Sequence, residues 1–230
     1  MLRKKILEKL KVRQSKESLG DNSHYQSGLE LVRQGRHDEA VSEFKQALQT
    51  GYGLAETYLA LGSVYDRLDR IEQAIEAYSR AVKIKPDFTE AYANLGLAYD
   101  RSAQFLKAIR MHLTAIRLRP DDVELRKNLG LAYFNVGSYP EAIKAYKQAL
   151  QINPKDATIY YSLGLIYLDL GDQESALQQQ KLITELGECK LASKLMDEID
   201  RQFLRSARGK FQTPEAVSDS TSDELHAVGF

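Results

Sequence analysis

The hexapeptide Asn-Leu-Gly-Leu-Ala-Tyr stands at residues 94–99 and again at 128–133, and its variant Ser-Leu-Gly-Leu-Ile-Tyr at 162–167, each 34 residues after the last. No other feature constrains the fold as much. A fixed period of this length means that one small supersecondary unit is stacked on copies of itself, each burying the face its neighbour leaves open. With Gly96 placed at slot 8 of a 34-slot unit, the chain divides without insertion or deletion into residues 21–54, 55–88, 89–122, 123–156 and 157–190.

The slots separate into two helical stripes. Slot 8 holds Gly28, Gly62, Gly96, Gly130 and Gly164, and slot 20 holds Ala40, Ala74, Ala108, Ala142 and Ala176. Slots 4, 7, 8 and 11 follow the i, i+3, i+4, i+7 spacing of one buried face, which predicts a first helix. Slots 20, 24 and 27, for example Ala142, Tyr146 and Ala149, predict a second. Pro86, Pro120 and Pro154 at slot 32 stop that second helix, because proline lacks an amide hydrogen and pushes its predecessor out of helical geometry. In the first and fifth units, Gly51, Gly53 and Gly187 stand ready to make the break instead.

These residues resemble the tetratricopeptide repeat (TPR) family. The resemblance covers residues 21–190: aromatic at slot 4, Leu-Gly at 7 and 8, Tyr at 11, Ala at 20 and 27, aromatic at 24 and Pro at 32. Departures include His24 and Arg126 at slot 4, Ser27 at slot 7, Leu31 at slot 11, His112 at slot 24 of the third unit, and Gln180 and Ile183 at slots 24 and 27 of the last unit. After it, Leu191, Leu195, Ile199 and Phe203 form one stripe, predicting a capping helix over residues 191–204 with a solvated outer face. The expectation is an all-α, right-handed superhelical solenoid of five helix-turn-helix units plus that cap. Its five-repeat layout is similar to bacterial TPR scaffolds of the magnetosome-associated MamA type.

Packing alone leaves a second apolar stripe unexplained. In TPR proteins, the resemblance implies, slots 5, 9 and 12 line a concave surface that binds partner peptides, and slots 6 and 13 lie beside them. Here those positions give Tyr25, Leu29, Arg33, Leu59, Arg67, Asn94, Leu97, Arg101, Lys127, Asn128, Leu131, Phe134, Tyr161, Leu165 and Leu168 as candidate groove residues. An exposed apolar stripe of this kind marks an interaction surface. The arginines Arg33, Arg67 and Arg101 suggest a charged end that meets acidic groups, and Phe134, Tyr161, Leu165 and Leu168 an apolar end. Asn94 and Asn128 are placed to hydrogen-bond an extended backbone. The carboxylate clamp of chaperone-binding TPR domains is absent, because Lys127 is followed by Leu131 where that clamp needs asparagine.

Composition narrows the function classes. Lys and Arg together number 32, as do Asp and Glu, so no net field draws nucleic acid, whose binding depends on neutralising phosphates. His24, His37, His112, His226 and Cys189 show no metal-ligand spacing, and no phosphate loop or nucleophile motif is present. No enzyme activity, cofactor or metal is expected. One cysteine makes no internal disulfide, so a reducing cytoplasmic setting is expected, with peripheral attachment to a membrane or organelle surface as its variant.

The ends differ from the repeats. Residues 1–20 hold seven basic and two acidic residues, with Leu2, Ile6 and Leu10 at helical spacing. That segment admits three readings: a solvated leader, a helix docking on repeats of its own or another copy, or a membrane contact through residues 1–12. Residues 205–230 lose the periodicity and are expected to form a flexible tail. The function expected is a scaffold or adaptor that binds a protein or peptide partner in its groove. The alternative is a self-assembling scaffold that coats an organelle or membrane.

Overall fold

The computed structural model describes residues 22–210, so the readings made for residues 1–20 and 211–230 lie outside the described residues. Within that range the chain forms helices and no strand. The described residues divide into two compact units, one up to residue 159 and one from residue 160.

Unit 1 contains α1 (Ser23–Arg33), α2 (His37–Thr50), α3 (Leu54–Arg67), α4 (Ile71–Ile84), α5 (Thr89–Arg101), α6 (Phe105–Leu118), α7 (Val123–Asn135) and α8 (Tyr139–Ile152), and ends in the first residues of α9 (Ala157–Asp169). Each helix packs chiefly on the one before and the one after it in the chain. The reason is visible in the small residues: Ala40, Ala74, Ala108 and Ala142 are all 0% exposed, which brings the two helices of a hairpin close together. Opposite each slot-8 glycine lies the ring of its own second helix. A Cβ on Gly28, Gly62, Gly96 or Gly130 would come to 2.6, 2.6, 2.4 or 2.8 Å from Phe44, Tyr78, His112 or Tyr146. Burying Phe44, Tyr78 or Tyr146 contributes roughly 2–3 kcal/mol, a gain available only because the glycine makes room for the ring.

His112 occupies slot 24, where the other three of the first four repeats carry Phe44, Tyr78 and Tyr146, and is 0% exposed. It is polar, so it requires a partner, which it finds in Asp100 Oδ2 at 2.8 Å. Tyr78 does the same one repeat earlier, its hydroxyl donating to Asp66 Oδ2 at 2.7 Å. The two carboxylates both occupy slot 12, where the other repeats carry Val32, Phe134 and Leu168.

The first helix of every repeat ends the same way. Slot 15 is left-handed five times, at Gly35, Asp69, Ala103, Gly137 and Gly171, with φ between 56° and 75°. The next amide then closes back on slot 11, as in Arg36 N to Leu31 O and Gln104 N to Tyr99 O, which satisfies a carbonyl the helix would leave open. Second helices end where proline follows: Lys85 and Asn153, just before Pro86 and Pro154, are extended. In the outer repeats Gly51 (φ 75°) and Gly187 (φ 82°) make the break, as expected.

Unit 2 takes up α9 from Tyr160 and contains α10 (Gln173–Glu185) and α11 (Cys189–Lys210), which pack on each other. Asp172 caps α10 by accepting from Ser175 N at 3.0 Å. The final helix continues to Lys210, beyond the boundary at residue 204 that its apolar stripe suggested. Leu195 and Ile199 of that stripe are buried with Leu163, Ile166 and Ile183.

Candidate functional site

On a helix whose slots 7, 8 and 11 are buried, slots 2, 5, 6 and 9 share the adjoining face. Stacking α1, α3, α5 and α7 in unit 1 sets four such faces side by side, and they line a cavity of about 560 Å³. Tyr25 lies at its α1 end and Glu56, Leu59, Ala60 and Ser63 come from α3. The middle of the cavity is built by α5, through Thr89, Glu90, Ala93, Asn94 and Leu97. Glu124, Leu125 and Asn128 of α7 close it, with Arg119 and Asp122 from the preceding loop.

The structure therefore gathers five of the residues expected in a groove: Tyr25, Leu59, Asn94, Leu97 and Asn128. Leu97 is 36% exposed although large and apolar. Tyr25 is fixed by tilted ring contacts with Phe44 (5.8 Å) and Tyr52 (5.6 Å). The carboxamides of Asn94 and Asn128 make no hydrogen bond with any described residue, and both side chains border the cavity.

Others of the expected set lie elsewhere. Leu29 packs half-buried against the core of the first repeats, and Leu131 is exposed outside the cavity lining. Phe134 turns to Tyr139, ring centres 5.9 Å apart. The three arginines expected there, Arg33, Arg67 and Arg101, do not line the cavity. Arg33 pairs with Glu30 at 3.0 Å on its own helix, and Arg101 reaches Asp66 at 3.1 Å and also Asp69 in the preceding repeat. Arg67 is exposed and has no ion-pair partner among the described residues. Lys127 is held between Glu124 at 2.9 Å and Asp156 at 3.0 Å. Burial works against its charge, yet the bonds to those two carboxylates keep its ammonium above the usual lysine range.

In unit 2, Tyr161 is half-buried with the Lys194 ammonium 5.0 Å from its ring centre, and Leu165 is half-buried. Leu168 corrects the expectation: it is 6% exposed and belongs to the core of unit 2. The final helix reaches the end of α9 there, Gln202 Nε2 donating to Leu168 O at 2.7 Å.

Sequence reasoning passed over the charged rim. Glu56, Glu90 and Glu124 recur at slot 2 on the same 34-residue period that revealed the glycines, so the signal was present. Lys85 pairs with Glu56 at 3.1 Å, and Arg119 pairs with Glu90 and, at 3.5 Å, with Asp122. The Arg119 hydrogen bond holds the Glu90 carboxyl below the usual carboxylate range. Among the described residues no cluster of His, Cys, Asp and Glu is arranged to hold a metal ion, and no helix is long and apolar enough to cross a membrane.

Comparisons with known proteins agree with this architecture. Profiles described as TPR or tetratricopeptide repeats match residues 21–50, 67–102, 91–124, 132–171 and 157–186. Among solved structures, the crystal structure of MamA is 30% identical, with 71% of this chain and 95% of that one aligned at a TM-score of 0.67. A MamA fragment from Desulfovibrio magneticus RS-1, residue 41 to its end, is 20% identical over 75% of this chain and 98% of its own, with a TM-score of 0.70. YrrB, described as a TPR protein with an unusual peptide-binding site, is also 20% identical, over 82% and 97%, with a TM-score of 0.67. The last two likenesses show the fold alone. No curated protein matches the chain by sequence.

Proposed function

The chain belongs to the tetratricopeptide repeat family, a protein-interaction scaffold, and from that premise we propose that unit 1 binds an extended peptide or a helix of a partner protein in the cavity lined by α1, α3, α5 and α7. One observation carries this reading. Two half-buried asparagines, Asn94 and Asn128, stand one repeat apart in a cavity of about 560 Å³ with no hydrogen-bond partner among the described residues, beside the exposed apolar surface of Leu97. A carboxamide both donates and accepts, which is what an extended backbone requires, and Leu59 and Leu97 supply the desolvated contact. The helices already hold these groups in place, so little ordering entropy opposes binding.

Selection of a random-sequence peptide library displayed on phage against the full chain tests the assignment, with Leu97→Arg as counter-target. Leu97 is exposed enough for arginine to leave the fold intact. Peptides that lose roughly tenfold or more in affinity for Leu97→Arg are expected, a hot-spot effect. A selected set that binds both proteins equally would place the interaction surface elsewhere.

The likeness in layout to MamA supports a second reading, association between copies of this chain. Light scattering across a concentration series, on the full chain and on one beginning at Asp21, separates it from capture of a foreign partner. Assembly that vanishes on truncation supports self-association, and a monomer in both cases opposes it.

A further inference from the structure

The charges around this cavity are not balanced. Four carboxylates line it, those of Glu56, Glu90, Asp122 and Glu124, against the single guanidinium of Arg119. That guanidinium is already divided between Glu90 and Asp122. Lys85 holds Glu56 from outside the lining, and Lys127 is shared between Glu124 and Asp156. Even with these flanking groups included, five carboxylates face three cations. Arg33, Arg67 and Arg101, the residues that would attract an acidic partner, contribute nothing to the lining.

The α1 end of the cavity has a second relevant property. Tyr25 is held by Phe44 and Tyr52, and Glu56 lies beside it in the lining. Burial first, and then the Glu56 carboxylate, push the Tyr25 hydroxyl above the usual tyrosine range, so negative potential reaches that ring. A fixed aromatic ring with a carboxylate next to it is the arrangement that receives an ammonium or guanidinium group. The same surface repels an incoming carboxylate.

Resting on the reading of this cavity as a peptide groove, we propose that its occupant is a cationic segment of a partner protein, an extended stretch that seats a lysine or arginine between Tyr25 and Glu56 and lays small or apolar residues over Leu59 and Leu97. Ala60 and Ala93 leave room for the backbone to approach, and Asn94 fixes its register. Charge complementarity here governs partner choice and association rate, and therefore weakens with salt.

The test is the composition of the library peptides whose binding depends on Leu97. These peptides are expected to carry lysine and arginine in excess of acids and to lose affinity as salt rises. A selected lysine-bearing peptide should bind roughly fivefold more weakly to Glu56→Gln and to Glu124→Gln. Glu76→Gln, on an exposed face of α4 outside the cavity lining, should bind it unchanged. Leu97-dependent peptides that are neutral or acidic, or that ignore Glu56→Gln, would overturn the cationic assignment while the groove stands. A library that yields no Leu97-dependent peptide would remove the groove and this inference together.

Discussion

In each of the first four repeats the slot-8 glycine receives a ring from its own second helix; in the fifth, Gly164 receives Leu195 from the helix that follows the repeat. A Cβ on Gly164 would lie 2.5 Å from that leucine. The residue that ought to fill the place by sequence, Gln180, is a polar chain left half-exposed, its amide directed to Thr184 Oγ1 at 3.4 Å. The glycine therefore specifies a hole rather than a partner, and whichever apolar side chain arrives can occupy it. Burying Gln180 there would strand an amide, so a terminal helix supplies the missing hydrocarbon.

Four substitutions follow in falling order of effect, the first three probing that difference. Leu195→Ala empties the terminal hole, and a fully buried leucine leaving a cavity costs about 3 kcal/mol. Loss of amide protection confined to residues 160–210 is the expected signature in hydrogen exchange, and uniform loss along the chain would show that the two units share one fate. Gly62→Ala follows, at about 2 kcal/mol, since the new methyl group meets the ring of Tyr78 and overpacking outweighs the gain in helix propensity. Gly164→Ala is expected to cost about half as much, because the ends of a leucine side chain move more readily than a ring. Equal losses in denaturant titrations of the two variants would cancel the contrast between ring and leucine. Smallest and opposite in sign is Ala103→Gly. Ala103 holds the left-handed slot-15 conformation at φ 56°, and glycine there is expected to stabilise the chain by about 0.5 kcal/mol, the relieved strain less glycine's greater freedom in the unfolded chain. An unchanged unfolding midpoint would mean that the helix end relaxes without penalty.

Much of the fold is written in single positions. Slots 8, 20 and 32 announce two helices, their contact and their stop, because small residues and proline have few alternative uses at a fixed period. Slot 15 was equally legible through Gly35, Gly137 and Gly171, although Asp69 and Ala103 conceal it in two repeats. The candidate site was legible only in part. Tyr25, Leu59, Asn94, Leu97 and Asn128 converge as their slots implied, and Glu56, Glu90 and Glu124 repeat plainly enough to have been included. Arg101 and Leu168 show the limit. Both occupy positions on the face beside the core stripe, yet Arg101 is drawn to Asp66 and Asp69 of the preceding repeat and Leu168 is buried in unit 2.

By itself the sequence determined what depends on local geometry and repetition: helices with two buried stripes, glycine and alanine where helices touch, and breaks at proline. The tertiary structure decided which charges are occupied and which apolar side chains remain open, because the partners of Arg101, Asp66 and Asp69, and the Leu195 that fills the hole at Gly164 come from residues about one repeat away. A period in the sequence locates a face, and whether that face is free depends on what packs across it.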